Sequence, residues 1–177
     1  SLDGRIALPN GDSQWISGRK ARSWVHRLRA KCDAVIVGSG TVRSDDPLLT
    51  SRGISDPEPL RVVLTNSLNL PMNAQLWNTR KAQTLIAYGP DALKENLKAI
   101  PHGPDFLELN STNPLGLLNH LATKGCNRVL WECGPSLATE AIAQNCVQEL
   151  AIFVAPKLLG GASAMTPLAD LGFTSMN

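Results

Sequence analysis

The sequence predicts an α/β fold of three layers, a mostly parallel sheet with helices on both faces. Three observations predict it. Short apolar runs rich in Val, Ile and Leu alternate with segments whose apolar residues recur at three- and four-residue steps. The runs are bounded by turn residues and read as strands of a buried parallel sheet. Several of them stop at small or polar residues (Gly38, Asn66, Gly89, Glu132), and a parallel sheet gathers such ends along one edge, where open α/β sheets bind ligands. A length of 177 residues suits one domain, with no internal repeat or dividing linker.

Residues 1–8 enter as if from a strand already under way, and Asp3-Gly4 marks a turn. After a loop over 9–15, Ser17 is placed to cap a helix over 18–31, with Ala21, Trp24, Val25 and Leu28 on its buried face. Residues 33–38 form a strand that runs into the small-residue corner Gly38-Ser39-Gly40-Thr41. That corner is neither a complete G-x-G-x-x-G nor a P-loop. Pro47 ends any helix there, and Asp45 and Asp46 are open to two readings, helix capping or a ribose contact. Residues 48–59 make a Pro/Gly-rich loop carrying Arg52. Strands follow at 60–64, 83–88 and 106–109, with one turn around Leu76-Trp77 and a helix over 90–100. Residues 111–124 contain a helix with Leu115, Leu118, Leu121 and Ala122 inside, closed by Gly125. A strand over 127–132 turns on Gly134 into a helix reaching about residue 145, and a last strand covers 148–154. Residues 162–177 show no period.

Composition narrows the function. Hydrophobic content is 43%, charge 18% and net charge +2, with no Lys/Arg block to track phosphates, so nucleic acid is not the expected partner. No apolar run approaches bilayer length. Cys32, Cys126, Cys133 and Cys146 show no C-x-x-C spacing, and no His stands at ligand distance, so no metal site is expected and the thiols read as free. No Ser–His–Asp set or hydrolase carboxylate pair can be proposed.

The corner at 129–140 carries the strongest chemical signal. A carboxylate, Glu132, stands at a strand's carboxyl end. Gly134 lets backbone approach a ligand closely, and the helix that opens behind it aims N–H groups and the positive end of its dipole at the same place. Such a corner suits a pyrophosphate, and a tight turn with a solvated Glu is the alternative. The residues themselves reach as far as an α/β domain that binds a nucleotide cofactor.

A set of segments goes further: residues 1–7 (SLDGRIA), 11–18 (GDSQWISG), 26–30 (HRLRA), 33–38 (DAVIVG), 40–42 (GTV), 45–52 (DDPLLTSR), 132–135 (ECGP) and 155–161 (APKLLGG). In this order and spacing they resemble the reductase domain of the bifunctional riboflavin-biosynthesis deaminase–reductase, over nearly the whole chain. The resemblance implies a dihydrofolate-reductase-like fold and NADPH-dependent reduction of 5-amino-6-(5-phosphoribosylamino)uracil to the ribitylamino compound. Hydride would pass from nicotinamide C4 to C1′ of the opened ribose, without a metal. It implies substrate contacts at Ser13, Arg29, Leu49, Arg52 and Glu132, the two arginines toward the 5′-phosphate and Glu132 toward the pyrimidine. NADPH contacts fall on Trp15, Thr41 and Asp45 and on the helix start Gly134, Pro135, Ser136, Leu137, Ala138, Thr139 and Glu140. Thr65-Asn66 departs from the acidic and small polar pair usual in relatives, which bears on the cofactor's ribose contacts. The resemblance further implies a homo-oligomer, with a dimer expected, and a domain truncated at both ends. An upstream deaminase is a possible fusion. The expected location is cytoplasmic, or plastid in a plant. A pterin reductase of the same fold and a non-catalytic nucleotide-binding relative are the alternatives.

Overall fold

The computed structural model describes residues 1–172, 174 and 175; residues 173, 176 and 177, in the aperiodic tail, lie outside the described residues. Its centre is a five-stranded, all-parallel sheet: β1 (Ala34–Gly38), β2 (Leu60–Thr65), β3 (Thr84–Tyr88), β4 (Asp105–Glu108) and β5 (Val129–Trp131). Among the described residues four α-helices accompany it: α1 (Arg19–Arg29), α2 (Ser39–Asp45), α3 (Pro114–Thr123) and α4 (Pro135–Ala143). The spatial order β4-β3-β2-β1-β5 means that the chain winds outward from β1 to β4 and then returns to the other side of β1. The order therefore reverses between β1 and β5, the switch point where open α/β sheets leave a crevice at their carboxyl ends.

Successive strand residues face opposite ways, and both faces are covered. Val35, Val37, Val63 and Ile86 pack on one side with Val42 of α2 and with Leu68, Leu76 and Trp77. Ala34, Ile36, Val62 and Ala87 pack on the other with Leu117 and Leu121 of α3 and Leu137 of α4. Burial on both faces explains why these strands read as continuous apolar runs. The register sets Ala34 beside Val129 and Ile36 beside Trp131, and the ladder continues one step as the Glu132 N–H donates to the Ile36 carbonyl at 2.9 Å. Glu132 thus leaves the sheet level with the end of β1.

Four readings of elements are corrected. The first helix is shorter than 18–31, its cap is Gly18 rather than Ser17, and it buries none of its residues fully. Trp24 is 40% exposed and meets Phe153 edge-on, so the apolar stripe is real but only partly covered. Within residues 90–100 only Lys94–Ala99 is helical, as a 3-10 segment; Leu93, Leu97 and Ile100 keep α-helical spacing, but Leu93 is 59% exposed, so the stripe is not buried as one face. In α3 the buried set is Pro114, Leu117 and Leu121, with Leu115 and Ala122 exposed; the capping Asn113, which accepts from the Gly116 N–H at 2.6 Å, fixes the helix phase. Residues 148–154 form no strand, and Leu150, Ile152 and Val154 are exposed. β5 itself is only half-buried because it ends the sheet.

Candidate active site

At the switch point lies a cleft of about 930 Å³. One wall is the corner from β1 into α2, residues Gly38, Ser39, Gly40 and Thr41; the other is the corner from β5 into α4. Gly134 caps α4 in an extended conformation (φ −72°, ψ 176°) without a side-chain cap, and a Cβ there would meet nothing within 4 Å. The first turn of α4 holds no acidic residue. Its leading N–H groups are thus unclaimed by side chains and face the cleft with the positive end of the helix dipole. A negatively charged group fits this cradle.

Glu132 faces Arg29 across the end of β5. The guanidinium donates from Nε to Oε1 at 2.6 Å and from Nη2 to Oε2 at 2.7 Å, and its Nη1 donates to the Thr50 carbonyl at 3.0 Å. The side chains are 12% and 22% exposed, a screened position in which a bidentate fork holds both partners in one orientation. His26 lies one turn before Arg29. Burial lowers its pKa, and the charges of Arg29 and Arg52 lower it further, which favours the neutral imidazole; its buried Nδ1 has no hydrogen-bond partner among the described residues. Beside Glu132, burial pushes the Cys133 thiol up to about 11.

The loop between α2 and β2 closes the site's floor. Leu49 is buried at φ 56°, and Ser51 is fully buried. Burial alone would raise the Glu58 carboxyl, but hydrogen bonds from the Gly53 N–H at 2.8 Å and the Ser51 N–H at 2.5 Å outweigh it and hold the pKa below its usual value. The Ser51 hydroxyl oxygen accepts from the N–H groups of Ile54 and Ser55. Arg52, between the two N–H groups bound by Glu58, is exposed with φ 64°.

Of the residues singled out in the sequence, Ser13, Arg29, Thr41, Asp45, Leu49, Glu132, Gly134, Pro135, Ser136, Leu137 and Glu140 line this one cleft. Trp15, Arg52, Ala138 and Thr139 do not line it. Trp15 is 61% exposed, lies 4.2 Å beneath the Arg22 guanidinium, and borders a neighbouring cleft of about 690 Å³. Its carbonyl accepts from Lys157 Nζ at 2.7 Å. Thr139 accepts from the Ala169 N–H at 2.8 Å. Asp46 ends α2 in the left-handed conformation and accepts from the Gln75 N–H at 2.7 Å, whereas Asp45 is exposed in the last turn. Asn66 joins the lining, as do Ile6, which belongs to the 1–7 segment but has no role assigned by it, and Met165, in the stretch without a period. Glu58 was missed as well; an isolated carboxylate in a Pro/Gly-rich loop was its only signal. Among the described residues, no group of three His, Cys, Asp or Glu could hold a metal ion. Among them, no helix is long and apolar enough to cross a membrane.

With this geometry in place, comparison with known proteins is informative. The family described as the RibD C-terminal domain matches residues 1–177. The chain belongs to that family. It is similar to the riboflavin biosynthesis protein RibD of Synechocystis, 45% identical over 177 residues that make up 99% of this chain and 48% of that protein. The structure of Acinetobacter baumannii RibD superposes with a TM-score of 0.79 at 32% identity, covering 100% of this chain and 49% of that one. A Thermotoga maritima protein described as a diaminohydroxyphosphoribosylaminopyrimidine deaminase/5-amino-6-(5-phosphoribosylamino)uracil reductase matches with a TM-score of 0.68 at 30% identity, over 81% of this chain and 39% of that one. The chain thus spans about half the length of the RibD proteins it matches. Its architecture is that of the RibD reductase domains, dihydrofolate-reductase-like.

Proposed function

We propose that this RibD C-terminal domain uses NADPH to reduce 5-amino-6-(5-phosphoribosylamino)uracil to its ribitylamino product, in the cytoplasm or a plastid. The carrying observation is that the switch-point cleft holds two unlike recognition devices. The bare start of α4 suits a pyrophosphate, and the Arg29–Glu132 pair offers oriented carboxylate oxygens to ring N–H groups. The residues fit a reduced dinucleotide: Gly134, Pro135, Ser136 and Leu137 would receive its phosphates, with Thr41 and Asp45 at the facing corner. When bound, the cofactor supplies the hydride.

The protein's own residues do the rest. Arg29 keeps Glu132 fixed, so the carboxylate meets the pyrimidine without reorganising. Arg52, on the loop whose Thr50 carbonyl Arg29 holds, reads the 5′-phosphate, and Ser13 adds a hydroxyl to the cleft lining. Leu49 and Leu64 give the floor an apolar lining that limits water. Trp15 and its neighbours act at the edge, where Lys157 and Arg22 hold them. The expected assembly is a homo-oligomer. The test is NADPH oxidation with the phosphoribosylaminouracil substrate, compared with its dephosphorylated analogue and with dihydrofolate. Turnover of the first alone supports the reading, and turnover of dihydrofolate instead overturns it.

A further inference from the structure

The loop carrying Arg52 is held in an unusual way. Arg52 has φ 64° and Leu49, three residues earlier, has φ 56°. L-residues other than Gly, Asn and Asp rarely adopt this region, and they stay there only when surrounding contacts over-determine the backbone. The contact that does so is a single carboxylate. Glu58 accepts from the N–H on each side of Arg52, Ser51 at 2.5 Å and Gly53 at 2.8 Å. The buried Ser51 hydroxyl closes the turn from behind by accepting from Ile54 and Ser55. The same loop presents the Thr50 carbonyl to Arg29, whose other nitrogens hold Glu132. A chain of contacts therefore runs from Glu58 through the loop backbone to both arginines and to Glu132. The charged groups facing Glu58 are Arg29 from α1 and Arg61 from β2.

We propose that Glu58 is a positioning residue for the phosphate-reading end of the site, fixing Arg52 and the Thr50 carbonyl through its clasp on the Ser51 and Gly53 N–H groups. Each carboxylate oxygen accepts from a backbone N–H of the loop, and Glu58 does not line the cleft, so its part is to place the loop and not to touch substrate. Glutamine cannot replace it: its amide NH₂ would face one of the two N–H donors. Aspartate is one methylene too short to span them. This inference rests on the reading of Arg52 as a phosphate contact.

The test is Glu58→Gln in the full-length protein. The KM for the phosphorylated substrate is expected to rise at least about tenfold, with kcat within about threefold of wild type, the pattern of lost uniform binding. NADPH affinity, followed by fluorescence titration, is expected to stay unchanged. In an Arg52→Ala background the same substitution is expected to add no more than about threefold, because only the Thr50 carbonyl's hold on Arg29 is left to lose. Gly53→Ala probes the turn independently: space is open there, but φ is 77°, so it strains the same backbone and is expected to raise KM alike. Should Glu58→Gln fail to fold, Gly53→Ala with and without Arg52→Ala decides the matter. An unchanged KM, or a KM loss undiminished without Arg52, overturns the role of Glu58. Arg52→Ala with wild-type KM overturns the parent reading of Arg52, and this inference with it.

Discussion

Each oxygen of Glu132 accepts once from Arg29 and keeps a lone pair for a second donor, so the pair can be both a structural clamp and a recognition surface. Glu132→Gln removes one acceptor and the charge. About 2 kcal/mol, or roughly thirtyfold in kcat/KM, is the expected loss, with NADPH affinity spared; steady-state kinetics and a cofactor titration check it. Arg61 is the opposite case, a fully buried cation that feels the Glu58 charge but is held by carbonyl oxygens. Burial pulls its pKa down to about 10, and its Nη2 donates to the carbonyls of Leu76, Asn78 and Ala82. Arg61→Ala would leave the Ala82 carbonyl without this donor, while Leu76 keeps the Thr84 hydroxyl and Asn78 the Lys81 N–H, and would empty a fully buried side chain's space; it is expected to cost about 3–5 kcal/mol, read from urea unfolding. Neither arrangement was legible in the sequence. Arg29 and Glu132 are 103 residues apart, and only folding shows that a residue read as a phosphate ligand spends three donors on protein acceptors. Arg61 looks like a surface charge in an otherwise apolar run.

At the level of elements, strand positions were the most legible feature, since burial on both faces leaves a run of Val, Ile and Leu that few other structures produce. Helix phases were less so. The α3 sequence has leucines at 115, 117, 118 and 121, and the Asn113 cap rather than the pattern chooses which go inside. Asn113→Ala is expected to cost about 1 kcal/mol, measurable as a lower thermal midpoint with unchanged kinetics. The glycine corners at both walls of the cleft were readable because they depend on local chemistry. The loop between α2 and β2 was not, because its shape comes from one carboxylate reaching back across it. That loop makes stability pH-dependent. Glu58 has a lowered pKa in the fold, so its contribution is complete above the ordinary value of 4.5. It is lost as pH falls below 4.5 through the folded value. The stability gap between wild type and Glu58→Gln, from unfolding curves, should therefore be constant near neutrality and close in acid.

Across the whole molecule, the first and last described segments are fastened together. The Leu2 N–H donates to the Lys157 carbonyl and the Ile6 N–H to that of Met165, Arg5 donates to Ala164, and Asp3 accepts from Leu159 and Gly160. With Lys157 on the Trp15 carbonyl, this clasp sets the loop that carries Ser13 and Trp15. Lys157→Ala is expected to speed amide exchange in residues 11–17 while the sheet amides keep their protection, as mass-resolved hydrogen exchange can show. The sequence hinted at the clasp only by placing distinctive motifs at 1–7 and 155–161. Ile6, Ser13 and Met165 border the same cleft, so its rim is drawn from opposite ends of the chain. During synthesis the five described strands have emerged once residue 131 is out, yet the rim also waits for Met165. These strands can therefore pair before the border of the cleft is in place.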